Sequence, residues 1–130
     1  MRVVLADDHE MVRRGIRSIV NGHPPWTVCG EAENGQQAID LVLELKPDLV
    51  VLDLSMPVMN GFQAAAKIRQ LAPSTKILVL SMHDSPQAKH EALAVGADAF
   101  LTKTASTDAF IRTVTAVLET RLETRFPQEG

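Results

Sequence analysis

Five polar residues of this sequence have the types and the spacing of a site for a divalent cation and a phosphoryl group. Each lies at, or just after, the end of a short apolar segment, and in chain order they are Asp7, Asp8, Asp53, Ser81 and Lys103. Two carboxylates ~5 Å apart repel each other by roughly 3 kcal/mol at an effective dielectric of about 20, so a cluster of aspartates requires a cation. Ligands that are all oxygen, without histidine or thiolate, favour Mg²⁺ or a similar hard ion.

An aspartate beside such a cation has the chemistry of a phosphoryl acceptor. Its carboxylate can act as a nucleophile and form an aspartyl phosphate, and the transfer depends mainly on positioning and on charge stabilisation of the equatorial oxygens. We expect a cation held by Asp8 and Asp53 to bind one of these oxygens. The Ser81 hydroxyl would donate to a second oxygen and the Lys103 ammonium would pair with a third. Taken alone, Asp8 would be a helix N-cap, Ser81 a turn residue and Lys103 a solvated charge, but their joint occurrence at strand ends favours one site.

The surrounding sequence predicts the α/β architecture that would bring these residues together. Five short apolar segments alternate with five segments in which apolar residues recur at helical spacing. Four of the apolar segments are nearly continuous, as is typical of parallel strands covered on both faces, and the more mixed second segment predicts an edge strand. This order predicts one doubly wound (βα)5 domain with a parallel five-stranded sheet and right-handed crossovers. The predicted strands are 3–6, 26–29, 49–52, 77–80 and 99–101.

Residues that begin and end helices support this arrangement. Asn34 and Asn60 precede predicted helices, and Ser85 is a predicted N-cap because Pro86 follows it at the first helical position. Gly96 is predicted to end the fourth helix. In open parallel sheets, ligands bind at the carboxyl ends of the strands, which is where the polar residues fall.

Length and composition exclude several other classes of protein. A chain of 130 residues with 45% apolar and 22% charged residues has the composition of one globular domain, which argues against disorder and coiled coils. A single cysteine, Cys29, excludes a disulfide framework and a cysteine-based zinc cluster. No apolar segment approaches the ~20 residues of a membrane helix and the first residues are not typical of a signal peptide, so we expect a cytoplasmic protein without membrane contact. The net charge of −3 makes the chain itself a poor candidate for binding nucleic acid.

These motifs, in this order, resemble the receiver domain of two-component response regulators over about residues 2–120. The resemblance rests on Asp7-Asp8, on Asp53 with the following Leu54-Ser55-Met56-Pro57, on Asn60-Gly61, on Ser81 and on Lys103. It implies a flavodoxin-like fold with the strand order 2-1-3-4-5, an order that rests on the family alone because the residue pattern leaves it open. It also implies a receiver domain at 1–120 and a linker or tail at 121–130.

The resemblance implies a role for each residue of the site. Asp53 would accept a phosphoryl group from a phosphohistidine of a sensor histidine kinase, and Ser81 and Lys103 would contact that group. The implied Mg²⁺ ligands are Asp8, Asp53 and the backbone carbonyl of Ser55, with Asp7 acting through a water molecule.

Two positions on and after the fifth strand carry further expectations. Phe100 occupies the place of the family's switch aromatic, and the alternative is a plain core residue. Many receivers have a proline after the lysine, joined to it by a cis peptide bond, whereas this chain has Thr104. A cis bond before a residue other than proline costs ~2.5–4 kcal/mol, and the sequence leaves both isomers of the Lys103–Thr104 bond open.

Charged and imidazole side chains outside the motifs are expected to be mostly solvated. The basic residues of the first helix predict a solvated face, with docking of a kinase partner as the alternative, and they are Arg13, Arg14 and Arg17. His83 lies two residues after Ser81, where it either influences the lifetime of the phosphate or is a solvated loop residue. The remaining histidines lack the spacing of a metal site with one another, and they are His9, His23 and His90.

Within the family, the stretches VVLADDHEMVRRGI and VVLDLSMPVMNG are most similar to receivers of LuxR/NarL-type transcription factors. Such proteins carry a helix-turn-helix DNA-binding domain after the receiver. We therefore expect regulation of transcription, with contact to DNA only through a domain absent from this chain, and homodimerisation on phosphorylation. The alternative is a stand-alone receiver that acts through protein–protein contact.

Two other functions are disfavoured by single residues. A Mg²⁺-dependent phosphatase of the haloacid-dehalogenase type also forms an aspartyl phosphate, but it requires a second aspartate at the position of Ser55. A degenerate receiver that works without phosphorylation has usually lost a residue of the acidic site, and none is lost here. We therefore expect a signalling domain that assists its own phosphorylation, and not an enzyme.

Overall fold

The computed structural model describes residues 1–125 and the side chains of residues 1–119. Within these residues, five strands alternate with five helices, as the sequence predicts. The strands are β1 (Arg2–Ala6), β2 (Thr27–Ala32), β3 (Leu49–Asp53), β4 (Lys76–Ser81) and β5 (Ala99–Thr102). The helices are α1 (Glu10–Asn21), α2 (Gly35–Leu45), α3 (Gly61–Leu71), α4 (Pro86–Ala94) and α5 (Thr107–Arg125).

The strands form one parallel sheet in the order β2-β1-β3-β4-β5, which confirms the flavodoxin-like fold. β2 is an edge strand, as its mixed composition predicts. The direction of winding reverses at β1, because its sequence neighbour β2 lies on one side of it and β3 on the other. The crevice outside the carboxyl ends of β1 and β3 is therefore where a ligand would bind.

Helices cover both faces of the sheet because the central strands are apolar on both sides. On one face, Val4 packs with helix residues such as Ala38 and Ile68. On the other face, Leu5 packs with Phe110. Successive strand residues thus enter opposite cores, and only the strand ends are available for polar groups.

Three helices begin where their capping residues predict. The side chains of Asn34, Asn60 and Ser85 each accept a hydrogen bond from the backbone N–H three residues later. Helix α1 differs, because its N-cap is His9 and the His9 side chain makes no capping hydrogen bond. Asp8 is therefore not the helix cap that it would be if taken alone, and its carboxylate is available to the site.

Each strand differs from its predicted range by one residue at one or both ends, except for β2, which differs by more. Strand β2 continues to Ala32, beyond the predicted 26–29, because its last residues also pair with β1. Helix α5 continues to Arg125, into the predicted linker or tail at 121–130, and residues 126–130 lie outside the described residues. None of the helices between residues 1 and 125 is both long and apolar enough to span a bilayer.

Candidate functional site

The carboxyl ends of β1, β3 and β5 bring the aspartates and the lysine together. Asp7 and Asp8 follow β1, Asp53 is the last residue of β3, and Lys103 follows β5. One carboxylate oxygen from each aspartate and one ring nitrogen of His9 all lie within 4.8 Å of one another. We call the three aspartates, His9 and Lys103 the acidic pocket.

Lys103 lies between two of the carboxylates and offsets part of their charge. Its Nζ atom is 2.8 Å from Asp7 Oδ2 and 3.0 Å from Asp53 Oδ1, and 7% of its side chain is exposed. Burial alone would lower the pKa of Lys103, but the hydrogen bonds and the charges of the two carboxylates outweigh it and raise the pKa above its usual value. The ammonium is therefore a permanent cation of the pocket at neutral pH. The peptide bond from Lys103 to Thr104 is trans.

Asp53 is a buried carboxylate that has a partner on one oxygen only. Its residue is 2% exposed, and Oδ1 receives the Lys103 ammonium and, at 3.4 Å, the backbone N–H of Ser55. Within the described part of the chain, Oδ2 has no hydrogen-bond partner. Burial raises the pKa of Asp53; the hydrogen bond from Lys103 opposes this shift without cancelling it, and the charge of Asp7 adds to it.

The unpartnered oxygen of Asp53 makes the pocket suitable for a hard divalent cation. A buried polar atom without a partner is costly, and a bound cation would remove that cost. The neighbouring Asp8 side chain is 34% exposed, so the pocket is open on that side. Such an opening suits Mg²⁺, which is bound by one or two carboxylates and keeps several waters.

His9 is the residue of the pocket that sequence reasoning missed. Its Nδ1 atom lies 3.1 Å from Asp7 Oδ1 and 3.1 Å from Asp8 Oδ1, while its backbone N–H donates to Asp7 Oδ1 at 2.8 Å. The side chain is 63% exposed, so the ring lies at the mouth of the pocket. The available signal is the place of His9 directly after the two aspartates, which the spacing among the histidines does not show.

The prediction that the arginines of α1 form a solvated face is wrong for Arg13. Only 11% of its side chain is exposed, Nη1 donates to the backbone carbonyl of Asp7 at 2.6 Å, and Nε donates to Glu31 at 3.1 Å. Arg17 also forms an ion pair with Glu31, and Arg14 is exposed as predicted. The physical reason is that Glu31, on the edge strand β2, faces α1 and attracts both guanidinium groups. Arg13 consequently links the backbone of the acidic pocket to α1 and β2.

The loop after β3 holds the backbone of Asp53 against the start of α3. The Gly61 N–H donates to the carbonyl of Leu54 at 2.9 Å. A Cβ atom added to Gly61 would lie 2.5 Å from the carbonyl oxygen of Asp53, so only glycine allows this approach. Val58, in the same loop, has a left-handed φ of 67° and is 82% exposed.

Ser81 lies next to the pocket, but its hydroxyl is directed to its own loop. The hydroxyl donates to the carbonyl of His83 at 3.0 Å and accepts the His83 N–H at 3.2 Å. No hydrogen bond joins Ser81 to Asp53 among residues 1–125, and the contact of Ser81 with a phosphoryl group stays a prediction. The His83 residue is exposed, and Phe100 on β5 is half-buried against the core under α2 and α3.

The parallel sheet in this strand order defines a flavodoxin-like domain. At its carboxyl edge, the acidic pocket has carboxylates that could hold a cation and a buried ammonium that could pair with a phosphoryl group. Residues 3–115 match the sequence profile of the response regulator receiver domain. The chain belongs to this family, whose members are phosphorylation-dependent switches of two-component signalling. Receiver domains generally bind Mg²⁺ at an acidic site, and the aspartate cluster described above offers ligand atoms that could hold a metal ion.

Individual relatives place the chain among receivers of the LuxR/NarL type. It is 43% identical over 101 residues to the nitrate/nitrite response regulator protein NarL of Escherichia coli K12, which covers 78% of this chain and 47% of that protein. A two-component response regulator of the LuxR family from Aurantimonas sp. SI85-9A1 matches with a TM-score of 0.88 and 33% identity, covering 92% and 86% of the two chains. The signal receiver domain of the putative response regulator NarL from Mycobacterium tuberculosis matches with a TM-score of 0.82 and 37% identity, covering 92% and 94%. The chain spans about half the length of the curated relatives that it matches.

Proposed function

We propose that Asp53 is the phosphoacceptor of this receiver domain and that a phosphohistidine of a sensor histidine kinase is the donor. One observation carries the proposal: Asp53 Oδ2 is buried and has no hydrogen-bond partner among the described residues, directly beside the Lys103 ammonium. A nucleophilic oxygen needs an available lone pair, while the contacts of Oδ1 with Lys103 and Ser55 fix the direction of the carboxylate.

A magnesium ion in the acidic pocket would offset the charge that phosphorylation adds. A phosphoryl group brings about −1.5 to −2 units of charge to a pocket that is already acidic. We assign the ion to Asp8, Asp53 and the backbone carbonyl of Ser55, with Asp7 held through a water molecule. Contact with the ion through a water molecule suits Asp7, because its own oxygens already contact the Lys103 ammonium and the backbone N–H of His9.

The phosphoryl group would also change the partners of Lys103 and Ser81. Lys103 would exchange part of its contact with the carboxylates for a phosphoryl oxygen, and the Ser81 hydroxyl would leave the His83 carbonyl to donate to another. Because His83 lies in the loop that leads to α4, this exchange would move the loop. Phe100 is half-buried and is therefore able to turn further inward, which is the switch role we propose for it. The phosphoryl group would favour the second state only through these different contacts.

The activity of the whole protein is a further part of the proposal. Response regulators of this type work with sensor kinases and bind DNA through output domains, and the curated relatives are regulators that are about twice as long as the matched part. We propose that this receiver, at residues 1–120 with a connecting segment at 121–130, controls transcription through a helix-turn-helix domain outside this chain. Phosphorylation would promote homodimerisation, and the kinase partner implies a cytoplasmic location.

Phosphorylation by a small donor tests the proposal. The protein is incubated with Mg²⁺ and acetyl phosphate, and its intact mass is measured. We expect one added phosphoryl group on the parent protein and none on Asp53→Asn. The control is Asp40→Asn, which removes an exposed aspartate of α2 and should be phosphorylated like the parent. A parent protein that gains no mass, or an Asp53→Asn variant that does, would refute the assignment.

A further inference from the structure

We propose that His9 is a ligand of the cation site and that it makes the site selective for ions that accept an imidazole nitrogen, such as Zn²⁺ or Co²⁺. This inference rests on the proposed cation site and concerns which ions occupy it. It departs from the all-oxygen ligand set expected from the sequence, because that set contains no histidine.

The distances around the His9 ring are those of neighbouring ligands on one ion. The Nδ1 atom is 3.1 Å from Asp7 Oδ1 and 3.1 Å from Asp8 Oδ1. Neighbouring ligands of an octahedral or tetrahedral ion, each ~2.0–2.2 Å from the metal, lie roughly 2.8–3.5 Å apart. The imidazole nitrogen is therefore at the distance of a neighbouring ligand from each carboxylate oxygen, and one ligand atom from each of the three residues lies within 4.8 Å of the others.

The same distances suit hydrogen bonds when Nδ1 carries the proton, so the tautomer decides which role the ring has. In the tautomer with the proton on Nε2, the Nδ1 lone pair faces two carboxylate oxygens. Three acceptors would then point at one another without a hydrogen between them, which is unfavourable unless a cation lies there. A cation would thus select this tautomer of His9.

A second, independent feature points to a ligand at the same place. Asp53 Oδ2 is buried without a hydrogen-bond partner in the described chain, and Asp53 belongs to the group of donors that lie within 4.8 Å of one another. The pocket therefore offers three carboxylates and one imidazole, a mixed oxygen and nitrogen set that Zn²⁺ and Co²⁺ accept. Mg²⁺ prefers oxygen and water, and the His9 side chain, 63% exposed, is able to turn out to solvent when Mg²⁺ binds.

Selectivity between two ions is the property that tests the inference. The dissociation constants of Zn²⁺ and Mg²⁺ are measured by calorimetry in the same buffer for every variant. We expect His9→Ala and His9→Asn to raise the Kd of Zn²⁺ by at least about tenfold and that of Mg²⁺ by less than about twofold, since only Zn²⁺ loses a ligand.

His9→Asn also retains a residue that is favoured at the start of a helix, which guards against loss of the fold. His90→Ala, which removes an exposed histidine of α4, is the matched control and should change neither constant.

The histidine rings are also followed directly by long-range ¹H–¹⁵N NMR. We expect Zn²⁺ to shift Nδ1 of His9 and to leave the ring of His90 unchanged. Equal losses of Zn²⁺ and Mg²⁺ affinity in the His9 variants, an unchanged Zn²⁺ affinity, or a Zn²⁺-dependent shift at another ring would each overturn the inference.

Phosphorylation of the same samples with Mg²⁺ and acetyl phosphate separates the two proposals. If the parent and the His9 variants are phosphorylated on Asp53 but show no difference in ion selectivity, the role of His9 fails and the proposed function stands. If the parent binds Zn²⁺ through His9 but is never phosphorylated, the proposed function fails and the metal site stands.

Discussion

Replacing Lys103 by methionine tests whether the lysine stabilises the acidic pocket before any ligand binds. The ammonium lies 2.8 Å from Asp7 Oδ2 and 3.0 Å from Asp53 Oδ1. At an effective dielectric of about 20, each attraction amounts to about 5–6 kcal/mol before the cost of desolvation. Removal of one partner of a buried ion pair costs about 3–5 kcal/mol net, because the charge left behind has no compensation. We expect Lys103→Met to lower the free energy of unfolding by about that amount in the absence of divalent ions.

Divalent ions should reduce this loss, because a cation in the pocket offsets the same carboxylates. Urea unfolding is followed by circular dichroism in EDTA and at increasing Mg²⁺ concentrations. The deficit of Lys103→Met should shrink as Mg²⁺ rises, since an ion that binds only the folded state stabilises it by mass action. Lys89→Met, on the exposed surface of α4, is the matched control and should unfold like the parent. If Lys103→Met is as stable as this control in EDTA, or if its deficit is the same with and without Mg²⁺, the electrostatic account of the pocket is wrong.

Three further substitutions probe the rest of the site. Because burial raises the pKa of Asp53 above 3.8, its ionisation costs the folded state stability as the pH rises from 3.8 through that higher value. Asp53→Asn leaves Lys103 paired with Asp7, so its free energy of unfolding should exceed that of the parent by about 0.5–2 kcal/mol at pH 7 without Mg²⁺. Urea unfolding should show that this difference vanishes in acid. Val58 has a φ of 67°, so Val58→Gly should relieve strain of about 1–2 kcal/mol and raise the thermal midpoint, whereas an unchanged or lower midpoint would count against strain at this residue. Gly61→Ala should lower the free energy of unfolding by about 1–3 kcal/mol and slow phosphorylation by acetyl phosphate, because its Cβ would meet the Asp53 carbonyl at 2.5 Å. Gly15→Ala in α1, with open space at its Cβ, is the control and should not be destabilised.

The convergence of the aspartates and the lysine could be predicted because it depends on the sheet and not on side-chain detail. The apolar segments fix where each strand ends, and parallel strands have their carboxyl ends on one edge. Asp7 and Asp53 must then be neighbours once β1 and β3 are paired, as they are. The strand order itself came from the family resemblance, because alternating strands and helices are compatible with more than one order.

Individual hydrogen bonds and the full length of a strand pairing could not be predicted in the same way. Helical spacing places Arg13 on a face of α1, but its burial depends on Glu31, which lies on another element. Ser81 could be placed at a strand end, yet the sequence does not show that its hydroxyl bonds to His83. The extension of β2 to Ala32 depends on its pairing with β1, which the predicted apolar segment at 26–29 does not show. For Arg13 and β2, a residue on another element decides a feature that the local sequence pattern leaves open.

The acidic pocket leaves its charges incompletely paired, and this property links its stability to its proposed function. One ammonium, that of Lys103, is shared by Asp7 and Asp53, and within residues 1–125 the Oδ2 atom of Asp53 has no hydrogen-bond partner. A pocket of this kind has more than one way to pair its charges, so a divalent cation or a phosphoryl group changes which pairing is favoured. The close-packed centre of the sheet has no such alternatives, because its side chains are apolar and buried. A change of ligand is therefore expected to act on the strand-end loops and on Lys103 while the core keeps its packing.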